Sequence, residues 1–154
     1  MPPRLIRGLE ELRTLVGQEV GTSDWHEITQ DRIQAFADVT GDHQWVHCDP
    51  AMAAAHSPYG APIAHGFLTL SLCTMLAQET ATVEGIRMGV NYGLNRVRFP
   101  NAVRVGSRIR MHSTLTELKD IPGGGVQVTY KQTYEIEGED KPACVAETVA
   151  RLYF

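Results

Sequence analysis

The second half of the chain alternates apolar and polar residues with a period of two. Four stretches rich in β-branched and aromatic residues show this pattern, at 88–99, 107–118, 126–136 and 143–154. Successive side chains of a strand point to opposite faces of a sheet, so the pattern is typical of strands with one buried face. Glycine, proline and charged residues separate the stretches, as turns require. The pattern therefore predicts four strands of an antiparallel sheet.

The first half of the chain shows helical spacing instead. Apolar residues near helical intervals predict a short helix over 5–16, ended by Gly17 and followed by a strand from about 18 to 28. Thr29 is a typical N-cap residue, and Gly41 has the residue type preferred just after a helix. A second helix is therefore predicted between these two residues.

Two more helices are predicted before the strands begin. Asp49 and Pro50 have the residue types preferred at an N-cap and at the first helical position, so one or two helical turns should follow them. The stretch 57–62 contains two prolines and a glycine and predicts a loop. From about Ala64 to Glu79 the chain is apolar on nearly every helical face, which predicts a long helix buried on several sides.

One antiparallel sheet packed on one long helix is an α+β architecture. The length of 154 residues fits a single domain over 1–154, and no internal repeat divides it. A single sheet wrapped on one helix leaves its ends and edges short of cover. We therefore expect a homodimer.

Composition and charge narrow the classes of partner. The formal net charge is −4 and no run of Lys or Arg occurs, so a nucleic-acid surface is not expected. The three cysteines, Cys48, Cys73 and Cys144, form no CxxC motif and indicate a reducing compartment. The N-terminus lacks the apolar core of a signal peptide, and the apolar run 63–77 is shorter than the ~20 residues that span a bilayer. A cytoplasmic protein without a membrane segment is expected.

Candidate chemistry concentrates in residues 41–50. Five titratable side chains lie there: Asp42, His43, His47, Cys48 and Asp49. His43 and His47 have the i, i+4 spacing of a helical metal site, and Asp49 or His56 could add ligands. However, the segment follows Gly41 and leads into Asp-Pro, so we predict a loop rather than a helix. A metal site is therefore not favoured.

Two non-metal interpretations remain for this segment. Cys48 is adjacent to His47, but neighbouring residues of an extended segment point to opposite sides, so a thiol nucleophile with this base is not favoured. Asp42 lies five residues before His47 across a loop, and a bend could bring carboxylate and imidazole to one water molecule as an acid–base pair. Alternatively, Asp42 is a turn residue, His47 is a hydrogen-bonded loop histidine, and Asp49 is the cap of the next helix.

The start of the long apolar helix offers a second functional feature. His65 and Gly66 open this helix, where backbone N–H groups are unpaired and carry the positive end of the helix dipole. Because Gly66 has no side chain, a ligand oxygen could approach its N–H closely, as an oxyanion hole requires. The alternative is that Gly66 only permits close packing and that His65 is an ordinary helix-start residue.

The run 36–72 resembles the MaoC-like, (R)-specific enoyl-CoA hydratases. The signature of that family has three parts. An acid is followed five residues later by a histidine, this histidine begins the motif H-x-D-P, and I-A/V-H-G then stands at the start of a helix. The resemblance continues through 91–110 and covers the chain from about Gly17 to its end. It is closest to the small stand-alone MaoC-like proteins, a group that includes the nodulation protein N-like ones. It implies a hotdog fold, in which a sheet wraps around the long helix and chains usually pair as dimers.

The resemblance also implies a reaction and roles for five residues. The reaction is reversible syn addition of water to a trans-2-enoyl thioester, without a cofactor or a metal. Asp42 and His47 would hold and activate the water and deliver a proton to the α carbon. The Gly66 N–H would bind the thioester oxygen, with His65 as a supporting residue. Thr74 stands where many members have a supporting serine.

Some features of the site differ from the family or stay open. Trp45 lies where many members have Asn-Pro, which leaves the preferred acyl chain length open. Several arginines are candidates for CoA phosphates, with a solvated strand face as their alternative role: Arg87, Arg96, Arg98, Arg104, Arg108 and Arg110.

Other functions of the same fold are a dehydratase acting on acyl-carrier-protein substrates, an acyl-CoA thioesterase and a non-catalytic thioester-binding subunit. A thioesterase usually has its acid on the central helix, where this chain has only Glu79.

Overall fold

The computed structural model describes all residues, 1–154, as eight strands and six helices. The strands are β1 (Arg4–Ile6), β2 (Gln18–Thr22), β3 (His26–Glu27), β4 (Ala81–Val83), β5 (Met88–Arg98), β6 (Arg108–Ile121), β7 (Gly125–Ile136) and β8 (Cys144–Tyr153). The helices are α1 (Gly8–Thr14), α2 (Gln30–Thr40), α3 (Trp45–Cys48), α4 (Pro50–His56), α5 (Gly66–Ser71) and α6 (Cys73–Thr80). None of these helices combines the length and the apolar character that crossing a bilayer requires.

The main sheet contains six strands in the order β2-β6-β7-β8-β5, with β3 also paired to β6. All of its pairings are antiparallel. The four strands predicted in the second half are confirmed as β5 to β8. The early strand expected over 18–28 is two short strands, β2 and β3, with Ser23 between them. The Ser23 N–H donates to the Met111 carbonyl at 2.9 Å, and the Met111 N–H donates to the Ser23 hydroxyl instead of a backbone carbonyl, also at 2.9 Å.

The α5–α6 segment packs on one face of this sheet and forms the main core. Leu68 and Leu76 contact Ile109, Met111 and Tyr134 from the sheet, and all five are buried. A sheet wrapped around a central helix is the hotdog arrangement, so the predicted α+β hotdog fold is confirmed.

The long helix differs in two respects from the uninterrupted, buried helix predicted over 64–79. The helical turn tightens at Leu72, where the backbone N–H lies 3.3 Å from the carbonyl oxygens of both Leu68 and Thr69. This tighter turn divides the helix into α5 and α6. The helix is also less enclosed than predicted. Phe67 is 69% exposed and Thr74 is exposed, because no element of the single chain covers that side.

The N-terminal segment was predicted wrongly at its start. The helix expected over 5–16 begins only at Gly8, whose φ of +82° breaks the chain direction. Arg4–Ile6 forms β1, which pairs in parallel with β4, a strand that the sequence did not predict. This pairing buries Ile6 in a second core cluster with Leu12, Leu15, Val20, Leu115, Val126 and Val128.

The predicted helix ends around residues 29–50 are confirmed. The Thr29 hydroxyl accepts a hydrogen bond from the Arg32 N–H at 3.2 Å, and Gly41 takes a φ of +83° at the end of α2. The Asp49 carboxylate accepts a bond from the Met52 N–H at 3.0 Å and caps α4. One expectation was wrong: the segment between these caps is not all loop, since α3 makes a single helical turn there.

We predict that Asp49→Ala lowers the free energy of unfolding by about 1 kcal/mol, because it removes an N-cap acceptor. Asp49→Asn retains an acceptor oxygen in the same place and should stay within about 0.5 kcal/mol of the wild type. Urea unfolding of the three proteins measures this difference. Equal loss in both variants would contradict the capping role.

Candidate active site

Three predicted site residues, Asp42, His47 and His65, come together at one end of the central helix. One ligand atom of each lies within 4.8 Å of the corresponding atoms of the other two. Asp42 follows the glycine that ends α2, His47 lies on α3, and His65 is the residue just before α5. The ends of three helices, α2, α3 and α5, therefore supply the three side chains.

His47 is held from both sides by hydrogen bonds. Its Nδ1 lies 2.7 Å from the carbonyl oxygen of Ile63, while its own carbonyl accepts a bond of 2.8 Å from the Gln30 amide. The Ile63 N–H in turn donates to the Val46 carbonyl at 3.0 Å. The imidazole is buried, so its orientation is determined by these bonds rather than by solvent.

His65 lies directly against His47. The two rings stack with their centroids 3.8 Å apart and an interplanar angle of 26°. His65 is 3% exposed, and its Nε2 lies 2.9 Å from the backbone carbonyl oxygen of Asp42. His65 therefore connects the Asp42 loop to the start of α5.

These two carbonyl contacts determine which ring nitrogens carry protons. A carbonyl oxygen only accepts hydrogen bonds, so His47 Nδ1 and His65 Nε2 must each donate. In the neutral ring, His47 then has its lone pair on Nε2. The remaining His65 nitrogen, Nδ1, is buried and has no partner, so protonating it would create a buried N–H without an acceptor. In neutral His47, Nε2 is therefore left as a hydrogen-bond acceptor.

The Asp42 carboxylate is the solvent-facing member of the group. Its side chain is 54% exposed, and one oxygen lies 4.0 Å from His65 Nε2. The separation from His47, within 4.8 Å, is short enough for one water molecule with hydrogen bonds of about 2.8 Å to contact both residues. The arrangement can thus hold a water between an acceptor nitrogen and a carboxylate.

The metal alternative fits this geometry poorly. Nearly parallel rings direct their lone pairs side by side rather than toward one point, and His65 Nε2 already donates to Asp42. His43, the other half of the predicted i, i+4 pair, points away and contacts Asp38 at 2.9 Å.

Cys48 lies on α3 next to His47 rather than in an extended segment. Burial, followed by the charges of Asp38 and Asp42, raises the pKa of its thiol. A raised pKa disfavours the thiolate and therefore a nucleophilic role.

Gly66 presents an unpaired donor one residue beyond His65. As the first residue of α5 it has an N–H that donates to no other atom of the chain. A Cβ here would lie 2.9 Å from the ring of Phe99, so any side chain at this position would require that ring to move. Gly66 therefore both packs closely against Phe99 and has a free N–H. The packing role and the oxyanion-hole role considered from the sequence are compatible with each other.

Thr74 is not joined to this group by a hydrogen bond. It lies on α6, is exposed, and its hydroxyl is 3.9 Å from the Cys73 sulfur. Thr74 instead lines a cleft of about 680 Å³ between the α5–α6 side and strands β5 and β8. We call this the helix–strand cleft; Leu70, one helical turn after Gly66, also lines it.

The candidate arginines divide into two groups. Arg108 pairs with Glu137, Arg110 with Glu135 at 2.7 Å, and Arg104 lies 3.7 Å from Glu139. Arg87, Arg96 and Arg98 are exposed and have no carboxylate partner. The second group keeps its charge available for a phosphate, whereas the charges of the first group are paired with carboxylates.

Two contributors to the site were missed by the sequence analysis. Gln30 supports His47 from the first turn of α2, and Phe99 packs on Gly66 from beyond the end of β5. Neither residue belongs to a motif, and both act on residues more than fifteen positions away in the chain. Contacts between residues so far apart in the chain cannot be predicted from a local sequence pattern.

Comparisons with known proteins show the family to which the chain belongs. The model of the MaoC like domain matches residues 11–136. The chain is 50% identical over 148 residues to 3-hydroxyacyl-thioester dehydratase Z of Mycobacterium tuberculosis, covering 96% of this chain and 97% of that protein. It is 44% identical over 147 residues to nodulation protein N of Rhizobium meliloti, covering 95% and 91%.

Among solved structures, the (R)-hydratase from A. caviae involved in PHA biosynthesis superposes with a TM-score of 0.66 and 25% identity, covering 86% of this chain and 95% of that one. The matched family model spans most of the chain and includes Asp42, His47, His65 and Gly66. This chain therefore belongs to the MaoC-like domain family.

Proposed function

We propose that this protein is a hydro-lyase that interconverts trans-2-enoyl and (3R)-3-hydroxyacyl thioesters. The observation that carries the proposal is that ligand atoms of Asp42 and His47 lie within 4.8 Å of each other, a separation that one water molecule can bridge. The relative at 50% identity bears the name of a 3-hydroxyacyl-thioester dehydratase, which is the same reaction written in the reverse direction. The acyl group is carried by CoA or by an acyl carrier protein.

The pair performs both proton transfers of the reaction. With Nδ1 committed to Ile63, the Nε2 of neutral His47 accepts a hydrogen bond from the water, and the Asp42 carboxylate accepts the other. As the water oxygen bonds to C3, the β carbon of the enoyl thioester, one water proton passes to Asp42 or His47. The same pair of residues then delivers a proton to C2, the α carbon. No net proton is gained or lost, and addition of both parts from one side of the double bond accounts for syn stereochemistry.

Gly66 stabilises the charge that develops during this step. When oxygen adds to C3, the electron pair of the double bond moves toward the thioester carbonyl and gives it enolate character. The unpaired Gly66 N–H at the start of α5 can donate to that oxygen. His65 supports the arrangement by holding the Asp42 backbone and by stacking on His47.

The helix–strand cleft suits the acyl chain of the substrate. It begins within one turn of Gly66 and is lined mainly by apolar side chains, among them Leu70, Ala77, Val90, Leu94 and Leu152. An apolar cleft is the usual form of a site for a substrate with a hydrocarbon part. Asp42, His47 and Gly66 lie outside the lining of this cleft, so the substrate would pass from Gly66 along the first turn of α5 to reach it. Thr74 contributes to this lining, so we assign it a role beside the acyl chain rather than at Asp42.

Glu79 is poorly placed to act as the acid of a thioesterase. Both of its carboxylate oxygens lie 2.9 Å from His26 Nε2, and one also accepts a bond from the Asp24 N–H at 3.2 Å. A carboxylate engaged in this way does not activate a water at the other end of the helix.

All three cysteines are unpaired, which supports our proposal that the protein works in a reducing compartment such as the cytoplasm.

We expect Asp42→Asn to lower the rate of crotonyl-CoA hydration by at least about a hundredfold, because a general acid–base group contributes about 10²–10⁴-fold. Asp49→Asn is the matched control in the same segment. It should retain nearly full activity, since Asp49 caps α4. Loss of enoyl absorbance measures the rate, with a chelator present throughout.

Three results would contradict the proposed mechanism. Equal activity of Asp42→Asn and wild type would remove Asp42 from the chemistry. Release of free CoA without hydration would indicate a thioesterase. Turnover of neither crotonyl-CoA nor the matching acyl-carrier-protein thioester would leave a binding role.

We also propose that the protein acts as a homodimer joined along β5. This strand lies at the edge of the sheet, so one row of its backbone N–H and C=O groups has no partner strand. Its apolar side chains are exposed, with Tyr92 at 57% and Met88, Val90 and Leu94 between 42% and 53%. A long, apolar and unpaired edge is suited to pairing with a second strand. A second copy would cover both the edge and the open side of the cleft.

The expected consequence is a sedimentation mass of twice one chain for the wild type. Val90→Glu, which places a charge on the β5 edge, should shift the protein toward the monomer. Val39→Glu makes the same change at an exposed position on α2, away from β5, and should leave the dimer intact. A monomeric wild type, or a dimer unaffected by Val90→Glu, would refute the β5 interface.

A further inference from the structure

The wall of the helix–strand cleft contains a buried amide that the proposed chemistry does not use. Gln132 lies on β7 and is only 4% exposed, yet it lines the cleft. Its strand neighbours on the same face include Val128 and Tyr134, both fully buried. Amide side chains are rarely placed in such surroundings, because burying one without hydrogen bonds is unfavourable.

Only part of this amide is satisfied within the chain. The Tyr134 hydroxyl lies 3.4 Å from the Gln132 side-chain oxygen and 3.5 Å from the Leu70 carbonyl oxygen. Burial raises the pKa of Tyr134 well above its usual value, so this hydroxyl remains a donor. The Gln132 nitrogen carries two N–H groups, and neither donates to an atom of the chain. The amide therefore has hydrogen-bonding capacity directed at the cleft.

The position of this amide relative to the candidate catalytic group follows from the helix. Leu70 lies one turn after Gly66, roughly 6 Å along the helix axis. The Leu70 carbonyl is bonded to Tyr134, which contacts Gln132. A chain whose thioester oxygen lies at Gly66 would therefore reach Gln132 with its middle carbons rather than with C2 or C3.

We propose that Gln132 is a specificity-determining residue that selects acyl thioesters bearing a hydroxyl group on the part of the chain that occupies the cleft. This inference rests on the proposed function, because it takes the cleft as the acyl site. A hydroxyl both donates and accepts, so it can satisfy the amide in either orientation of its oxygen and nitrogen. An unsubstituted hydrocarbon would instead cover the amide and leave it without a partner, and sites of that kind discriminate strongly against the analogue that lacks the polar group.

The test compares trans-2-decenoyl-CoA with analogues that carry one hydroxyl at C6, C8 or C10. In the wild type, kcat/KM for the best hydroxylated analogue should exceed that of the unsubstituted substrate by at least about tenfold, the factor expected for one buried hydrogen bond. Gln132→Met keeps the approximate volume and removes the amide. In this variant the preference should disappear or reverse, because the hydroxyl then loses its partner.

Two controls separate this inference from misfolding. Urea unfolding of Gln132→Met shows whether this variant is folded, so that a lost preference can be assigned to the missing amide rather than to misfolding. Gln127→Met makes the same change on β7, where the Gln127 oxygen accepts a bond from Arg151 rather than lining the helix–strand cleft, and should retain the hydroxyl preference.

The possible outcomes are distinct. A wild-type preference for the unsubstituted chain at all three hydroxyl positions would overturn the assignment of Gln132. So would a hydroxyl preference that survives in Gln132→Met. Failure of the wild type to hydrate both crotonyl-CoA and the matching acyl-carrier-protein thioester would instead overturn the proposed function itself.

Discussion

Two backbone carbonyl groups, those of Asp42 and Ile63, control the arrangement of the stacked imidazoles. Each carbonyl takes one ring N–H, at 2.9 Å for His65 and 2.7 Å for His47. Because those nitrogens donate, the lone pairs of the two neutral rings lie on His47 Nε2 and His65 Nδ1, and that of His65 is buried without a partner. The main-chain carbonyl of Ile63 thus selects the His47 tautomer in which Nε2 is an acceptor, without the help of a charged neighbour.

This dependence on main-chain geometry explains why the site lies where three helices end. The carbonyl of Asp42 follows the left-handed Gly41, and that of Ile63 lies just before α5, so neither is used by a helix. Helix ends leave backbone groups unpaired, and here imidazoles and the Gln30 amide bind several of them. The Gly66 N–H at the start of α5 stays free, and it is the donor that we propose for the thioester oxygen.

The sequence predicted those features that local patterns encode. Alternation gave β5 to β8, Thr29 and Asp49 acted as caps, and the spacing of Asp42, His47 and Gly66 identified the site segment. The sequence did not reveal contacts between distant positions. The β1–β4 pair joins two three-residue strands far apart in the chain, and His65 binds a carbonyl 23 residues before it. Such contacts depend on how elements pack, and no single residue type at either end signals them.

The α5–α6 helix connects the two ends of the proposed substrate site. Its first residue offers the N–H for the thioester oxygen, and one turn later the Leu70 carbonyl meets Tyr134 and, through it, Gln132. A helix is rigid over so short a distance, so the spacing between the reacting carbons and the buried amide cannot adjust to the substrate. If the amide selects a hydroxyl, it must therefore do so at one position of the chain, and the identity of that position is set by the rise of a single helical turn.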